Sequence, residues 1–174
     1  MTVCQACALA KTRRNIVPGV GRGGALLPNT SSNEPLGYDA RLSVLPRAAE
    51  SQPWVAGTAP RKGGIMFVGR DPGDEEDAAG VPFIGPAGRM LEMLLEVAGL
   101  TAGECYITNL VKCHTPGNRG PNAEEDKACF KYLEAEIELV DPKLIVLLGG
   151  AAVAAFFPGL TLSKHLGTIQ VRHE

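Results

Sequence analysis

The chain has 174 residues, 45% of them hydrophobic and 21% charged, and a formal net charge of −2. That length suits one domain with a substantial core, and the composition is ordinary for a water-soluble globular protein. No apolar run reaches the about eighteen residues of a membrane span, and the opening MTVCQACALAKTRR lacks the basic-then-apolar order of a secretory signal. A cytoplasmic location is therefore expected, with the five cysteines reduced or bound to metal. The charge is uneven: residues 1–64 carry eight Lys/Arg against three Asp/Glu, and residues 65–174 carry nine against sixteen. The overall acidity argues against tight non-specific binding to DNA, but not against an enzyme that touches few phosphates.

In chain order, Cys4-Gln5-Ala6-Cys7 comes first. With Cys113 and Cys129 it offers four thiolates, a set that suits tetrahedral zinc and an iron–sulfur cubane equally well. Cys105, at the start of an expected strand, reads as a buried inert thiol. Residues 18–64 are dense in Pro, Gly and Ser without a lasting period and read as loop. Trp54 and five Arg or Lys within it leave a DNA-contacting flap open against a plain surface excursion.

Ile65 to Val68 is an apolar strand that Gly69-Arg70-Asp71-Pro72-Gly73 breaks into a turn. Loops at the carboxyl ends of strands in an open α/β sheet are where ligands bind. After the acidic run Asp74 to Asp77, Phe83 stands between Pro82 and Ile84-Gly85. A helix starts at Pro86, shows Met90, Leu91, Leu94, Leu95 and Ala98 on one face, and stops at Gly99. Glu104 to Val111 is a second strand with Asn109 near its end, where a side-chain amide can both donate to and accept from a base edge. In the following loop Arg119 is a candidate phosphate contact. Asn122 with Glu125 forms a capping box for a helix over Ala123 to Leu139, with Tyr132, Leu133, Ile137 and Val140 inward. Leu144 to Leu148 is a third strand, and Ala151 to Phe157 a short helix stopped by Pro158. Strands alternating with helices predict an α/β fold with a central parallel sheet covered on both faces.

The pattern VGxxPGxxEDxxGxPFxGxAG over Val68–Gly88 resembles the first motif of the uracil-DNA glycosylase superfamily, in its iron–sulfur branch, family 4. The resemblance continues at Tyr106-Ile107-Thr108-Asn109-Leu110-Val111-Lys112-Cys113, at Pro116 to Pro121, at Cys4-x2-Cys7 with Thr12-Arg13, and at Leu144 to Gly149. It implies a three-layer αβα sandwich over a single domain, 1–174, with a loop insertion at about 23–60. It implies hydrolysis of the N-glycosidic bond of uracil in DNA, with Phe83 stacked on the flipped base, Asn109 on its edge, and Gly69, Arg70, Pro72 and Gly73 lining the pocket. It also implies a [4Fe–4S] cluster on Cys4, Cys7, Cys113 and Cys129. Arg70-Asp71 departs from the Gly-Glu-Ala-Pro-Gly of family 4, and an aspartate before the proline is the family 1 arrangement that positions the attacking water. Asp71 is therefore the expected catalytic carboxylate, set against a plain pairing with Arg70. His165 and His173 lack the following proline of the family's His-Pro motif and read as a turn residue and a terminal residue. Without that motif the expected activity is weak and prefers single strands. The chain is expected to be a monomer that can contact a replication protein, and the alternative expectation is a non-catalytic uracil-DNA-binding or replication-associated iron–sulfur protein.

Overall fold

The computed structural model describes residues 4–21, 25–26, 55–56, 58–59, 63–100 and 104–171. Most of the expected 23–60 insertion, Trp54 and His173 lie outside the described residues. The strands are β1 (Val20–Gly21), β2 (Ala25–Leu26), β3 (Val55–Ala56), β4 (Thr58–Ala59), β5 (Ile65–Gly69), β6 (Cys105–Asn109) and β7 (Leu144–Leu147). The helices are α1 (Asp74–Ala79), α2 (Pro86–Val97), α3 (Ala123–Val140), α4 (Gly150–Phe156) and α5 (Leu162–His165), with 3-10 turns at Ala8–Lys11 and Pro116–Asn118.

Five strands form one sheet in the order β3-β1-β6-β5-β7. Its centre is parallel as expected: Gly69 pairs with Asn109 at the end of the β5–β6 ladder, and Val68 with Leu147 across β5–β7. The β6 edge is antiparallel, because β1 runs against both β6 and β3. The sheet is thus mixed, and part of the 18–64 stretch read as loop supplies its edge. Two-residue strands are too short to carry an alternation signal.

Successive β5 side chains enter two separate cores. Met66 and Val68 pack with Tyr106, Leu133, Val140 and Phe156, which puts α3 and α4 on one face. Phe67 packs with Ile107, Leu91 and Leu95, which puts α2 on the other. That is the three-layer αβα arrangement, and it explains why β5 and β6 are apolar along most of their length: both of their faces are covered.

Some boundaries differ from expectation. On α2 only Gly88, Leu91 and Leu95 are buried, while Met90 and Leu94 are more than half exposed. Strand β6 stops at Asn109, since Leu110 and Val111 leave the ladder and donate instead to the Gly69 and Arg70 carbonyls. On α3 the capping box is present and Leu133 and Val140 are buried, with Tyr132 and Ile137 half-buried. His165 closes α5, its Nδ1 3.0 Å from the Thr161 carbonyl.

Candidate functional site

The carboxyl ends of β5 and β6 open into a cleft of about 230 Å³ lined by Arg70, Asp71, Pro72, Gly73, Glu76, Phe83, Pro86, Ala87, Asn109 and Asn118. Gly69, the last residue of β5, is not among the lining residues but lies against two of them, Asn109 and Phe83. A Cβ on Gly69 would come within 2.5 Å of both Asn109 Oδ1 and Phe83 Cζ, so a side chain of any size is excluded there. The bare backbone lets amide and ring converge. Phe83 itself has φ +56°, a left-handed backbone that costs a non-glycine residue about 1–3 kcal/mol and persists only where its surroundings over-determine it. Gly88 is one such surrounding, since a Cβ there would lie 1.7 Å from the Phe83 carbonyl oxygen. Asn109 is 2% exposed. Its side-chain amide has no hydrogen-bond partner among the described residues.

The Asn109 backbone is clamped from below. Lys112 Nζ donates to the Asn109 carbonyl at 2.6 Å, to Thr108 Oγ1 at 2.7 Å and to Glu136 Oε2 at 2.7 Å, spending all three of its protons. Glu136, on α3, also accepts from Thr108 Oγ1 and from the Gly19 backbone N–H. The ion pair is 2% exposed on both sides and fully satisfied, as a buried pair must be.

On the opposite wall, the Asp71 side chain is 3% exposed. Arg70 Nε donates to its Oδ1, and the Thr115 hydroxyl lies 2.7 Å from its Oδ2. The pairing of Asp71 with Arg70, the alternative to a catalytic role, is therefore present. Arg70 Nη2 reaches the Asn118 carbonyl at 3.3 Å. Arg119, expected on phosphate, holds Glu125 through two bonds of 2.8 and 2.6 Å, and its side chain remains 44% exposed. The Arg119 bond, against the opposing cost of burial, keeps the Glu125 carboxyl below its ordinary range. Glu76, 8% exposed, accepts from the Gly85 N–H at 2.8 Å and lines the cleft. Sequence reasoning missed it, because it stands in a run of four consecutive carboxylates. Thr115 was also missed, because one threonine in a Pro/Gly loop gives no pattern.

Cys4, Cys7, Cys113 and Cys129 line a common cavity together with Val111, Lys112 and Tyr132. Three donors point at their sulfurs: Arg13 Nη1 at Cys113 (3.5 Å), Lys112 N at Cys129 (3.2 Å) and Tyr132 OH at Cys4 (3.3 Å). Burial pushes Cys113 up to about 11 and raises Cys129. For Cys4 burial also acts upward, but the Tyr132 and Ala6 hydrogen bonds with the Arg13 and Lys131 charges outweigh it and bring the thiol below its usual value. Cys105 stands apart in the α2-side core, fully buried, its thiol pushed up to about 11 by burial and then by Glu104. Among the described residues, no three His, Cys, Asp or Glu are spaced to hold a single metal ion. Four thiols around one cavity are a donor set that suits tetrahedral zinc or a cubane.

Residues 56–173 match the family described as the uracil DNA glycosylase superfamily. The chain is 46% identical over 99 residues to a type-4 uracil-DNA glycosylase of Thermotoga maritima, covering 57% of this chain and 52% of that protein. It is 47% identical over 96 residues to one of Sulfurisphaera tokodaii, covering 55% and 44%. Against one of Saccharolobus solfataricus the identity is 34% over 160 residues, covering 91% and 56%. The chain thus spans about half the length of the curated relatives it matches.

Proposed function

The chain belongs to the uracil DNA glycosylase superfamily, and we propose that it hydrolyses the N-glycosidic bond of uracil in DNA, the reaction for which its type-4 relatives are named. The observation that carries this reading is the convergence of Phe83 and the Asn109 amide over bare Gly69. A flipped base needs an aromatic face and an edge reader in one pocket. Phe83 stacks on the uracil ring. The Asn109 amide donates to a pyrimidine carbonyl and accepts from N3–H. Arg70, Pro72 and Gly73 shape the rim of the pocket.

The reaction breaks the C1′–N1 bond, with the electron pair leaving on uracil, and joins a water oxygen to C1′. The Asp71 carboxylate is the group that faces the developing positive charge of the sugar and takes the water's proton. Arg70 on one of its oxygens and Thr115 on the other fix its orientation. Arg119 serves the loop through Glu125 and offers its exposed edge to phosphate.

The four cysteines are proposed to hold a [4Fe–4S] cluster, supported by their shared cavity and the three donors aimed at their sulfurs. Such a cluster would supply a cross-link between the amino-terminal segment, the Cys113 bend and α3, since the glycosidic chemistry moves no electrons. A second reading, a binder of uracil-DNA without turnover, is favoured by one observation: both Asp71 oxygens are already engaged. Uracil release by the parent chain and by Asp71→Asn separates the two. Turnover that falls at least tenfold in Asp71→Asn supports the enzyme, and retained affinity without any release supports the binder.

A further inference from the structure

The Thr115 hydroxyl stands between two oxygens. Asp71 Oδ2 is 2.7 Å away, and the Arg119 carbonyl oxygen is within hydrogen-bond distance on the other side. Thr115 is fully buried. A hydroxyl has one proton and can also accept. While Asp71 is ionised, both neighbours are acceptors and a single proton serves them, so one of the two contacts lacks a hydrogen. When Asp71 carries a proton, the chain is complete: Asp71 Oδ2–H donates to Thr115 Oγ1, and Thr115 Oγ1–H donates to the Arg119 carbonyl. The site is one proton short in its charged state and saturated in its neutral one.

We propose that Thr115 is a positioning residue for Asp71 that stabilises the protonated carboxyl formed when Asp71 takes the proton of the attacking water. This deepens, and rests on, the glycosylase reading. The step balances. A water O–H bond breaks and its proton goes to Asp71, the water oxygen bonds C1′, and the C1′–N1 pair departs with uracil. Rotation about the Asp71 Cγ–Oδ2 bond then turns the new O–H onto Thr115. Arg70, Arg119 and Asp126 are charged groups that interact with Asp71. Arg70, on Oδ1, favours the carboxylate in the resting state. Arg119 lies on the loop side, and Asp126 faces it from α3. The arrangement therefore divides the work: Arg70 holds the base charged before the reaction, and Thr115 receives it neutral afterwards. Interactions stronger after proton transfer than before it are the ones that accelerate the step.

The test is a carbon-13 NMR titration of the Asp71 carboxyl in the full chain with labelled aspartate, assigned by Asp71→Asn. Thr115→Val keeps the shape and removes the hydroxyl; Thr115→Ser keeps the hydroxyl. The proposal expects Thr115→Val to lower the Asp71 midpoint by about one pH unit, because the neutral form loses two hydrogen bonds and the charged form one. Thr115→Ser should stay near the parent. A midpoint that rises in Thr115→Val would mean that Thr115 merely donates to the carboxylate, and an unchanged one that it does neither; each overturns the proposal. In uracil release, Thr115→Val should cut kcat about tenfold at unchanged KM, with Thr115→Ser restoring it. A parent chain that releases no uracil would remove the glycosylase reading alone, since the titration reads Thr115 whether or not the chain turns over.

Discussion

Gly69 concentrates the site into one missing side chain. Its Cβ position is already claimed by the Asn109 amide and the Phe83 ring. Gly69→Ala must displace one of them, and overpacking of this kind costs about 1–3 kcal/mol. The expected outcome is lower affinity for uracil-DNA by roughly ten- to a hundredfold, read by fluorescence anisotropy, together with a thermal midpoint lowered by several degrees. Phe83→Ala should weaken binding by about 1–3 kcal/mol, the usual worth of base–aromatic stacking. Asn109→Asp should lose uracil recognition as well, because a carboxylate cannot donate to a carbonyl oxygen. At this scale the sequence marked the residues and not their reasons. Glycine at 69 reads as a turn former, yet its φ is ordinary, and what demands glycine is the approach of two side chains distant in sequence. The strained Phe83 backbone was invisible for a related cause, because it is imposed by Gly88 packing on the Phe83 carbonyl. Glu76 was missed because an acidic run carries no sign of which carboxylate turns inward.

Among the elements, α3 ties the cleft to the rest of the fold. Asn122 accepts from the Glu125 N–H and Glu125 Oε2 accepts from the Asn122 N–H, each at 2.9 Å. Asn122→Ala should cost about 1 kcal/mol of stability in denaturant unfolding. Glu125 also holds Arg119, which keeps its carboxyl below the ordinary 4.5. A carboxylate with a depressed folded pKa stabilises above its unfolded value and loses that contribution as pH falls through its folded one. Stability should therefore decline as the pH falls below roughly 4.5, and Arg119→Met should flatten part of that decline. The Lys112–Glu136 pair joins α3 to the end of β6. Glu136→Leu leaves Lys112 charged and buried, and removal of one partner of such a pair costs about 3–5 kcal/mol. The capping box, the parallel core strands and α3 were legible because their signals are local or periodic. The antiparallel edge was not, because β1 and β3 are two residues each and their pairing partners lie far apart in sequence.

For the whole molecule, two halves of the chain meet at the cysteines. Cys4 and Cys7 come from the amino-terminal segment, Cys113 from the bend after β6 and Cys129 from α3, and their sulfurs surround one cavity. Sequence spacing left zinc and a cubane equal, the resemblance favoured the cluster, and the fold brings the four cysteines to one cavity. Replacing any of the four with Ala should lose iron from anaerobically purified protein and lower its thermal midpoint, with Cys105→Ala losing no iron. Thiolates are the ligating form, so cluster retention should weaken as the pH falls and thiols compete for protons. The measurement closest to the central claim is time-resolved release of free uracil from uracil-containing oligonucleotides, single- and double-stranded, with substrate in excess over the chain. The account predicts continuing release beyond one equivalent, at least tenfold slower in Asp71→Asn and in Phe83→Ala. Absence of release at saturating protein, or release equally fast in both variants, would contradict it.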